Sequence, residues 1–213
     1  MRQADGGAES SAAVLARPGG AAVISDVVVL YVDARGPYPK LVEHWFDETR
    51  DARTYAGPWP VVAHPPCGPW GCLKHLWKGG GAELAPLAVE QVRRWGGVLE
   101  HPAHSKLWRH SGLPGPGELP DAWGGVTIAV NQVDYGHCAR KPTWLYIVGS
   151  RNVGPIPPRG TPTHWVGGSR GHGRSRQGAH IPAGIKACSA EQRRRTPKAF
   201  AEYLLSLAGA CSR

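Results

Sequence analysis

A thiol and a carboxyl group are the side chains of this sequence whose positions best suit chemistry. Cys67 lies in the stretch 63–71 (AHPPCGPWG), directly after an apolar run, and Glu100 ends a second apolar run that begins at Val98. Because proline fixes its own φ, Pro66 presets the approach to the thiol. A buried strand that stops on prolines and glycines leaves its last side chains at a sheet edge, where ligands bind in open α/β sheets. The sequence therefore predicts that both groups lie at such an edge.

Together these two groups suit nucleophilic catalysis with acid–base assistance. On a pyrimidine ring a thiolate adds to carbon 6, and a carboxyl group hydrogen-bonded at N3 stabilises the charge that develops on the ring. Carbon 5 then becomes nucleophilic. This chemistry needs one soft nucleophile and one acid, but no metal. The alternative is that the cysteine is a small core residue, as free cysteines often are.

A zinc site is another interpretation of the same stretch. Four potential ligands follow the spacing H-x2-C-x4-C-x2-H, and all are zinc-ligand types: His64, Cys67, Cys72 and His75. Prolines and glycines crowd this spacing, which matches no structural zinc pattern known to us. We therefore predict no metal here and keep zinc as an alternative.

The apolar pattern predicts alternating strands and helices, which is typical of an α/β fold. The predicted strands are 22–33, 60–64, 98–100, 126–130 and 143–148. The predicted helices are 82–95 and 38–47, of which the second has only a weakly helical pattern. A short helix is predicted after a capping box at Ser189. A last helix is predicted with Thr196 as its N-cap and Pro197 in its first position. The helix between the second and third strands makes these two strands parallel neighbours, and the last two strands suit an antiparallel pair. We therefore predict a Rossmann-like, mostly parallel sheet with flanking helices, in one α/β domain over 21–213.

Two segments are predicted to lie outside this regular structure. Residues 1–20 are rich in Gly, Ala and Ser without periodicity, which predicts a flexible tail. Residues 149–188 are rich in Gly, Pro and Arg, and a loop of this length inside a domain is usually functional or disordered. One interpretation is a mobile basic loop, carrying Arg174 and Arg176, that becomes ordered on a phosphate backbone. The other is a disordered linker.

Charge and cysteine content limit the partners and the compartment. The net charge of +9 and the pI of about 9.6 indicate a polyanionic partner, nucleic acid first and acidic membrane second, although a basic protein without such a partner has the same composition. Nine Trp against two Phe provide flat faces for base stacking, while most tryptophans fill cores. The five cysteines include no CxxC pair, and no stretch reads as a secretory signal or a membrane span. These features predict reduced thiols in a cytoplasm.

Four stretches, in the same order, resemble motifs of the cytosine-5 DNA methyltransferases, especially short phage-encoded relatives. Residues 63–71 resemble the family's Pro-Pro-Cys catalytic motif, and 98–102 (VLEHP) resemble its Glu-Asn-Val motif. Residues 131–149 are similar to the stretch that carries the Gln-x-Arg-x-Arg motif. Residues 196–201 (TPKAFA) resemble the last motif, a helix that packs near the cofactor.

The resemblance implies a mechanism and a set of site residues. Cys67, on the turn that Pro66 presets, would attack carbon 6 of a pyrimidine flipped out of the DNA duplex. Glu100 would contact N3 and the exocyclic amine, and Arg140 would hold the base or a phosphate. The implied function is modification at carbon 5, most simply cytosine-5 methylation, in the host cytoplasm if the protein is phage-encoded. The further substrate-binding residues would be Pro66, Lys141, Thr143, Arg174 and Arg176.

S-adenosylmethionine is the cofactor that the resemblance implies, although the family's Phe-x-Gly-x-Gly loop is not found in this sequence. A strand followed by Asp-x-x-Gly, from Asp33 to Gly36, stands in its place, and Asp33 is equally interpreted as an ordinary strand-ending residue. Thr196 and Pro197 would complete the cofactor contacts. Three alternatives stay open: the same addition with another donor or on an already modified pyrimidine, a free nucleotide as substrate, and a non-catalytic nucleic-acid-binding protein on this scaffold.

Overall fold

The chain folds around a six-stranded sheet with helices on both of its faces. The computed structural model describes residues 23–71, 74–155, 157–166 and 185–211. The strands of the main sheet are β1 (Ile24–Leu30), β2 (Val42–Phe46), β3 (Val61–Ala63), β4 (Gly97–Pro102), β5 (Val126–Asn131) and β6 (Pro142–Val148). The helices are α1 (Leu84–Trp95), α2 (Lys106–His110), α3 (Ala190–Arg194) and α4 (Lys198–Gly209). A second, two-stranded sheet pairs β7 (His164–Trp165) with β8 (Lys186–Ala187).

The strand order in the main sheet is β2-β1-β3-β4-β6-β5. The first four strands of this order run parallel to one another, and β6 is antiparallel to both β4 and β5. The predicted α/β class and mostly parallel sheet are therefore confirmed, as is the antiparallel pair formed by the last two strands. In the described part of the chain, no helix combines the length and the apolar character needed to cross a membrane.

Both faces of the sheet are buried, which explains why its central strands read as continuous β-branched runs. One set of sheet side chains packs against α1: Val28, Leu30, Val61, Ala63 and Leu99. The alternate set packs against α4: Val27, Val29, Val62 and Val98. Burying each valine stabilises the fold by roughly 2 kcal/mol. Packing of the core therefore fixes the register of β1, β3 and β4 relative to one another. The register in turn fixes where these strands end.

The crossing from β3 through α1 to β4 is the part of the fold that positions Cys67 and Glu100. The strands are parallel neighbours, with Ala63 opposite Leu99, as predicted. The chain leaves α1 at Gly96 and enters β4 at Gly97, which has φ +114 and lies so close to Val61 that a Cβ would overlap its backbone. Glycine at this position therefore allows β4 to approach β3.

The prediction of a weak helix over 38–47 is wrong. A 3₁₀ turn at Tyr38–Lys40 is followed by β2, which pairs in parallel with β1. Val42, Trp45 and Phe46 are β-branched or aromatic, and such residues suit a half-buried pleated strand. Tertiary pairing with β1 therefore decides the conformation of this segment.

The two carboxyl-terminal helices, α3 and α4, lie close to their predicted positions. The capping box is confirmed, since the Ser189 hydroxyl accepts from the Gln192 amide at 3.0 Å and the Gln192 side chain accepts from the Ser189 amide at 2.8 Å. The start of α4 lies one residue later than predicted, because Pro197 is the cap and Lys198 the first helical residue. The predicted tail 1–20 lies outside the described residues.

Candidate active site at the carboxyl edge of the sheet

One edge of the sheet gathers polar side chains from five segments. The carboxyl ends of β1, β3, β4 and β5 lie at this edge, and β6 begins there because it runs in the opposite direction. The side chains brought together are Tyr38, His64, Glu100, Gln132 and Thr143. Parallel strands thus place at one edge residues that are far apart in sequence.

Cys67 lies on the turn that follows β3. Its carbonyl accepts hydrogen bonds from the amides of Trp70 at 3.1 Å and Gly71 at 2.9 Å, so the backbone of the turn is fixed. The residue is exposed to solvent, yet the protein atoms around the sulfur exclude enough water to raise the pKa of the thiol, and the charge of Glu100 raises it further. Lys141 acts in the opposite direction. In the free protein at neutral pH the group is therefore an accessible, protonated thiol.

Glu100 is held by two side chains from other elements. His64 Nδ1 lies 3.0 Å from Oε2, and Gln132 Nε2 donates to Oε1 at 3.0 Å. The glutamate side chain is only 12% exposed. The same Gln132 nitrogen donates to the Thr143 hydroxyl at 3.1 Å, and that hydroxyl donates to the Lys141 carbonyl at 3.0 Å. Because both partners of the Gln132 amide can only accept here, the network itself fixes which end of the amide faces Glu100.

Tyr38 fixes the orientation of the histidine. Its hydroxyl lies 2.6 Å from His64 Nε2, the nitrogen that does not face Glu100. In the neutral ring Nδ1 carries the hydrogen that it donates to the carboxylate, so Nε2 accepts from the tyrosine. Burial raises the pKa of Tyr38 well above its usual value, and Glu100 adds to this effect. The hydroxyl therefore keeps its proton, and Tyr38, His64 and Glu100 form an ordered chain.

These contacts keep Glu100 ionised. Burial by itself would raise the pKa of the carboxyl group, but the hydrogen bond from His64 and the charge of Lys141 outweigh burial and lower the pKa to about 2. Each carboxylate oxygen accepts one hydrogen bond from the protein and retains a second lone pair. The group is consequently suited to accept hydrogen bonds from a ligand, not to donate one.

Buried polar atoms without a hydrogen-bond partner occur on two side chains at this edge of the sheet. Within the described residues, both ring nitrogens of His101 and Oε1 of Gln132 are buried without a hydrogen-bond partner. Burial lowers the pKa of His101 to about 4, against the charge of Glu100 and the nearby Pro66 carbonyl, so the ring is neutral at pH 7. Buried polar groups are nearly always paired in native proteins, with protein groups or with ordered water. Oε1 of Gln132 belongs to the amide that donates to Glu100, whereas the His101 ring follows Glu100 in β4, faces the opposite side of the sheet and packs near Trp108.

The predicted substrate-binding residues fall into different places. Lys141 is close enough to lower the pKa of both Glu100 and Cys67. Arg140 is exposed and makes no side-chain hydrogen bond or ion pair within the described residues.

Thr143 is fully buried and its hydroxyl is engaged on both sides, so the prediction that it contacts the substrate does not fit its place. Pro66 is half-buried above His101. The predicted Arg174 and Arg176 lie outside the described residues.

The predicted cofactor residues do not form a cofactor cradle. Both carboxylate oxygens of Asp33 bond the Arg35 side chain, at 3.0 and 2.8 Å, and the Gly36 amide donates to the Asp33 carbonyl within the same turn. The turn leads into the 3₁₀ segment that carries Tyr38, and not into the α-helix whose N-terminus would face a ligand. These residues therefore do not fit the S-adenosylmethionine site that the resemblance implies, and no step is derived through this cofactor.

Thr196 and Pro197 nevertheless lie in the neighbourhood of Asp33. Arg194, at the end of α3, contributes to the low pKa of Asp33, so the connection from α3 to α4 passes near the end of β1. Thr196 is half-buried and Pro197 is buried. The structure thus brings the two predicted halves of the cofactor site to the same region without giving them free ligand-binding groups.

His64, the first potential ligand of the alternative zinc site, has no free ring nitrogen for a metal ion. Both ring nitrogens of His64 are engaged, by Tyr38 and by Glu100. Cys72 lies outside the described residues, and within them no group of three or more His, Cys, Asp or Glu side chains is arranged to hold a metal ion.

Sequence reasoning missed three residues of the site. His64 was considered only as a zinc ligand, and Tyr38 was hidden by the helix predicted for its segment. Gln132 directly follows β5, so its place just beyond a strand end was a signal that could have identified it. Comparison with known proteins adds nothing to the geometry, since no family model and no curated protein matches the chain.

Proposed function

We propose that this protein adds the thiol of Cys67 to carbon 6 of a pyrimidine base in DNA and modifies that base at carbon 5. Cytosine-5 methylation is the simplest such reaction. One observation carries the proposal: an accessible thiol and an ionised carboxylate, delivered by the neighbouring strands β3 and β4, lie at one sheet edge within electrostatic range of each other. This is the pair of groups that addition to a pyrimidine requires.

The first step is balanced without any other reagent. The sulfur of Cys67 forms a bond to carbon 6, the double bond between carbons 5 and 6 opens, and carbon 5 takes up a proton while the thiol proton passes to solvent. Reversal removes a proton from carbon 5 and restores the aromatic base. Each cycle therefore exchanges the hydrogen on carbon 5 with water.

Glu100 supplies the electrostatic part of the mechanism. Nucleophilic attack at carbon 6 moves electron density onto the ring and makes N3 more basic, so that N3 takes up a proton. A carboxylate beside N3 stabilises that proton and also accepts from an exocyclic amine. Cytosine carries this amine and thymine carries a carbonyl oxygen, which the Glu100 carboxylate would repel. We therefore infer that cytosine is the preferred base.

The strand order supports a Rossmann-like interpretation. Without the antiparallel β6, the order is β2-β1-β3-β4-β5, which corresponds to the doubly wound order 2-1-3-4-5. In such sheets ligands bind beyond the carboxyl ends of the strands, next to the switch point between the first and third strands. The loops that carry Tyr38 and Cys67 follow these two strands.

A basic surface near this edge supports DNA as the partner. Four exposed cationic residues lie between the end of α3 and the start of α4: Arg193, Arg194, Arg195 and Lys198. Together with the net charge of +9, they offer contacts to phosphate that are independent of sequence. S-adenosylmethionine is the methyl donor that the resemblance implies, and the experiment below tests it as a separate arm.

The test measures exchange of the carbon 5 hydrogen. DNA labelled with tritium on carbon 5 of cytosine is incubated with the protein, and release of tritium into water is measured with and without S-adenosylmethionine. We expect tritium release without the donor, because exchange at carbon 5 needs only the addition step. Cys67→Ser should abolish this release and keep DNA affinity, whereas Cys138→Ser, a half-buried thiol elsewhere, should leave it unchanged. Full exchange activity in Cys67→Ser would show that the nucleophile is wrongly assigned.

The non-catalytic alternative is favoured by one observation, the incomplete cofactor region around Asp33 and Gly36. A protein that only binds nucleic acid would show DNA affinity that falls steeply with salt, but no tritium release. The same experiment therefore distinguishes the two functions.

A further inference from the structure

The segment that follows the nucleophile has a cationic and aromatic surface. Lys74, His75, Trp77 and Lys78 are all exposed, and Trp77 as a whole residue is 45% exposed. Trp77 packs into neither of the two apolar clusters that form the core of the described chain. Core packing therefore does not explain a large apolar ring at this place.

The indole is fixed against the turn of Cys67. Gly68, the residue directly after the nucleophile, lies so close to the Trp77 ring that any side chain at position 68 would collide with it. Gly79 approaches the same ring, with a Cβ built there only 2.8 Å from it, and the Trp77 ring nitrogen donates to the Gly80 carbonyl at 3.3 Å. Glycines thus allow the ring to lie against the backbone, which covers part of it and leaves the remainder in solvent.

A fixed aromatic ring flanked by lysines is the arrangement with which proteins bind unpaired nucleic-acid strands. Bases stack on the aromatic ring, and the cations follow the phosphate backbone. Trp77 has a lysine three residues before it and one directly after it, and it lies beside the residue that would form the covalent bond. The charge of the segment is complementary to DNA, so a nucleobase is the occupant that the ring and its neighbours fit best.

We propose that Trp77 stacks on an unpaired nucleobase of the strand whose target base reaches Cys67. This inference rests on the proposed function, since it takes DNA as the substrate, and it adds the strand form. A base can stack on Trp77 only after it has left the duplex stack, so the protein acts on single-stranded DNA or on a locally opened duplex.

The experiment compares two tryptophans of similar exposure. Trp77→Ala and Trp77→Phe are compared with Trp123→Ala, because Trp123 is 50% exposed but lies over Arg93, in another part of the molecule. Binding of a fluorescent single-stranded oligonucleotide is titrated at fixed salt. We expect Trp77→Ala to weaken binding by roughly tenfold to a hundredfold, Trp77→Phe to restore most of the affinity, and Trp123→Ala to have no effect.

A second readout needs no variant. A single-stranded oligonucleotide with 5-iodouracil next to the target cytosine is irradiated with the unaltered protein, and the crosslinked residue is mapped by mass spectrometry. A crosslink at Trp77 supports the proposal. Crosslinks only at other residues, or equal affinities for Trp77→Ala and Trp123→Ala, would overturn it.

Failure of this inference is distinguishable from failure of the proposed function. If the unaltered protein releases no tritium from cytosine but Trp77→Ala still weakens binding, the covalent chemistry is wrong and the stacking site stands. If tritium is released and Trp77→Ala binds normally, the chemistry stands and the stacking site is wrong.

Discussion

Two carboxylates at the same sheet edge show how differently a low pKa can arise. Asp33 follows β1 and Glu100 lies in β4, on either side of β3, and each has a pKa of about 2. The Asp33 side chain is 58% exposed and pairs with Arg35, two residues away in sequence. The Glu100 side chain is 12% exposed and is held by residues from three other segments of the chain.

The difference lies in what keeps each charge in place. The Asp33–Arg35 pair forms from neighbouring residues in water, where such a pair contributes little to stability and is screened by salt. Glu100 is buried, which opposes ionisation, and remains ionised only because the fold places His64, Gln132 and Lys141 around it. An ionised carboxylate that only tertiary structure maintains is evidence of a built site, whereas a local surface pair is not.

Neutralising each carboxylate tests this comparison most strongly. Glu100→Gln keeps the shape of the side chain but removes the charge that stabilises the proton on N3, so release of tritium from carbon 5 should fall by roughly a hundredfold to a thousandfold. Asp33→Asn should leave the rate within about twofold, because its charge is screened and faces Arg35. Both variants are measured at saturating DNA. Equal rates for Glu100→Gln and the unaltered protein would remove Glu100 from the mechanism.

The free energy of unfolding at acid pH should depend on the buried groups His101 and Glu100, and not on the exposed Asp33–Arg35 pair. The fold lowers the pKa of His101 from 6.5 to about 4. As the pH falls, the unfolded chain therefore binds a proton at this residue before the folded chain does, and stability is lost between pH 6.5 and pH 4. Glu100 has its pKa lowered from 4.5 to about 2, so its contribution, about 3 kcal/mol when fully ionised, is lost as the pH falls from 4.5 towards 2. Urea unfolding at a series of pH values measures both phases.

Variants assign each phase to its residue. His101→Gln should flatten the upper phase and leave the lower one, and Glu100→Gln should do the reverse. Asp33→Asn should change neither phase by more than a few tenths of a kcal/mol, since its pair is exposed. A free energy of unfolding that stays constant from pH 7 to pH 3 would contradict the pKa values of both buried groups.

The sequence predicted the parts of the fold that long apolar runs specify. The strands around Cys67 and Glu100, and the helix between them, carry enough β-branched or periodic apolar residues to be recognised without any tertiary information. The segment that became β2 does not, because its five residues pair with β1 only once the sheet exists. For the same reason the antiparallel position of β6, between β4 and β5, was not predictable from its own residues.

The candidate site divides in the same way. The presence of a thiol and a carboxyl group at one edge followed from strand ends, which are visible in the sequence. The partners of Glu100 did not, because His64 and Gln132 reach it only through the register of β3, β4 and β5. Orientation of a catalytic group by distant residues is a property of tertiary packing, and a single sequence carries little signal for it.

The smallest expected effect concerns the outermost member of the network. Tyr38→Phe removes the hydroxyl that lies 2.6 Å from His64 Nε2 and leaves that nitrogen without its partner. Because a single hydrogen bond of this kind contributes about 1 kcal/mol, the free energy of unfolding should fall by roughly that amount. Tritium release should fall only severalfold, since His64 still donates to Glu100 and merely loses its fixed orientation.

Tyr203→Phe is the matched control for this change. Its hydroxyl donates to the Val153 carbonyl at 2.9 Å, so the variant loses a hydrogen bond of the same kind away from Glu100. Both variants should lose similar stability, but only Tyr38→Phe should slow tritium release. If the two variants slow it equally, the chain from Tyr38 through His64 to Glu100 is a structural contact only, and the contrast between Glu100 and Asp33 rests on His64, Gln132 and Lys141 alone.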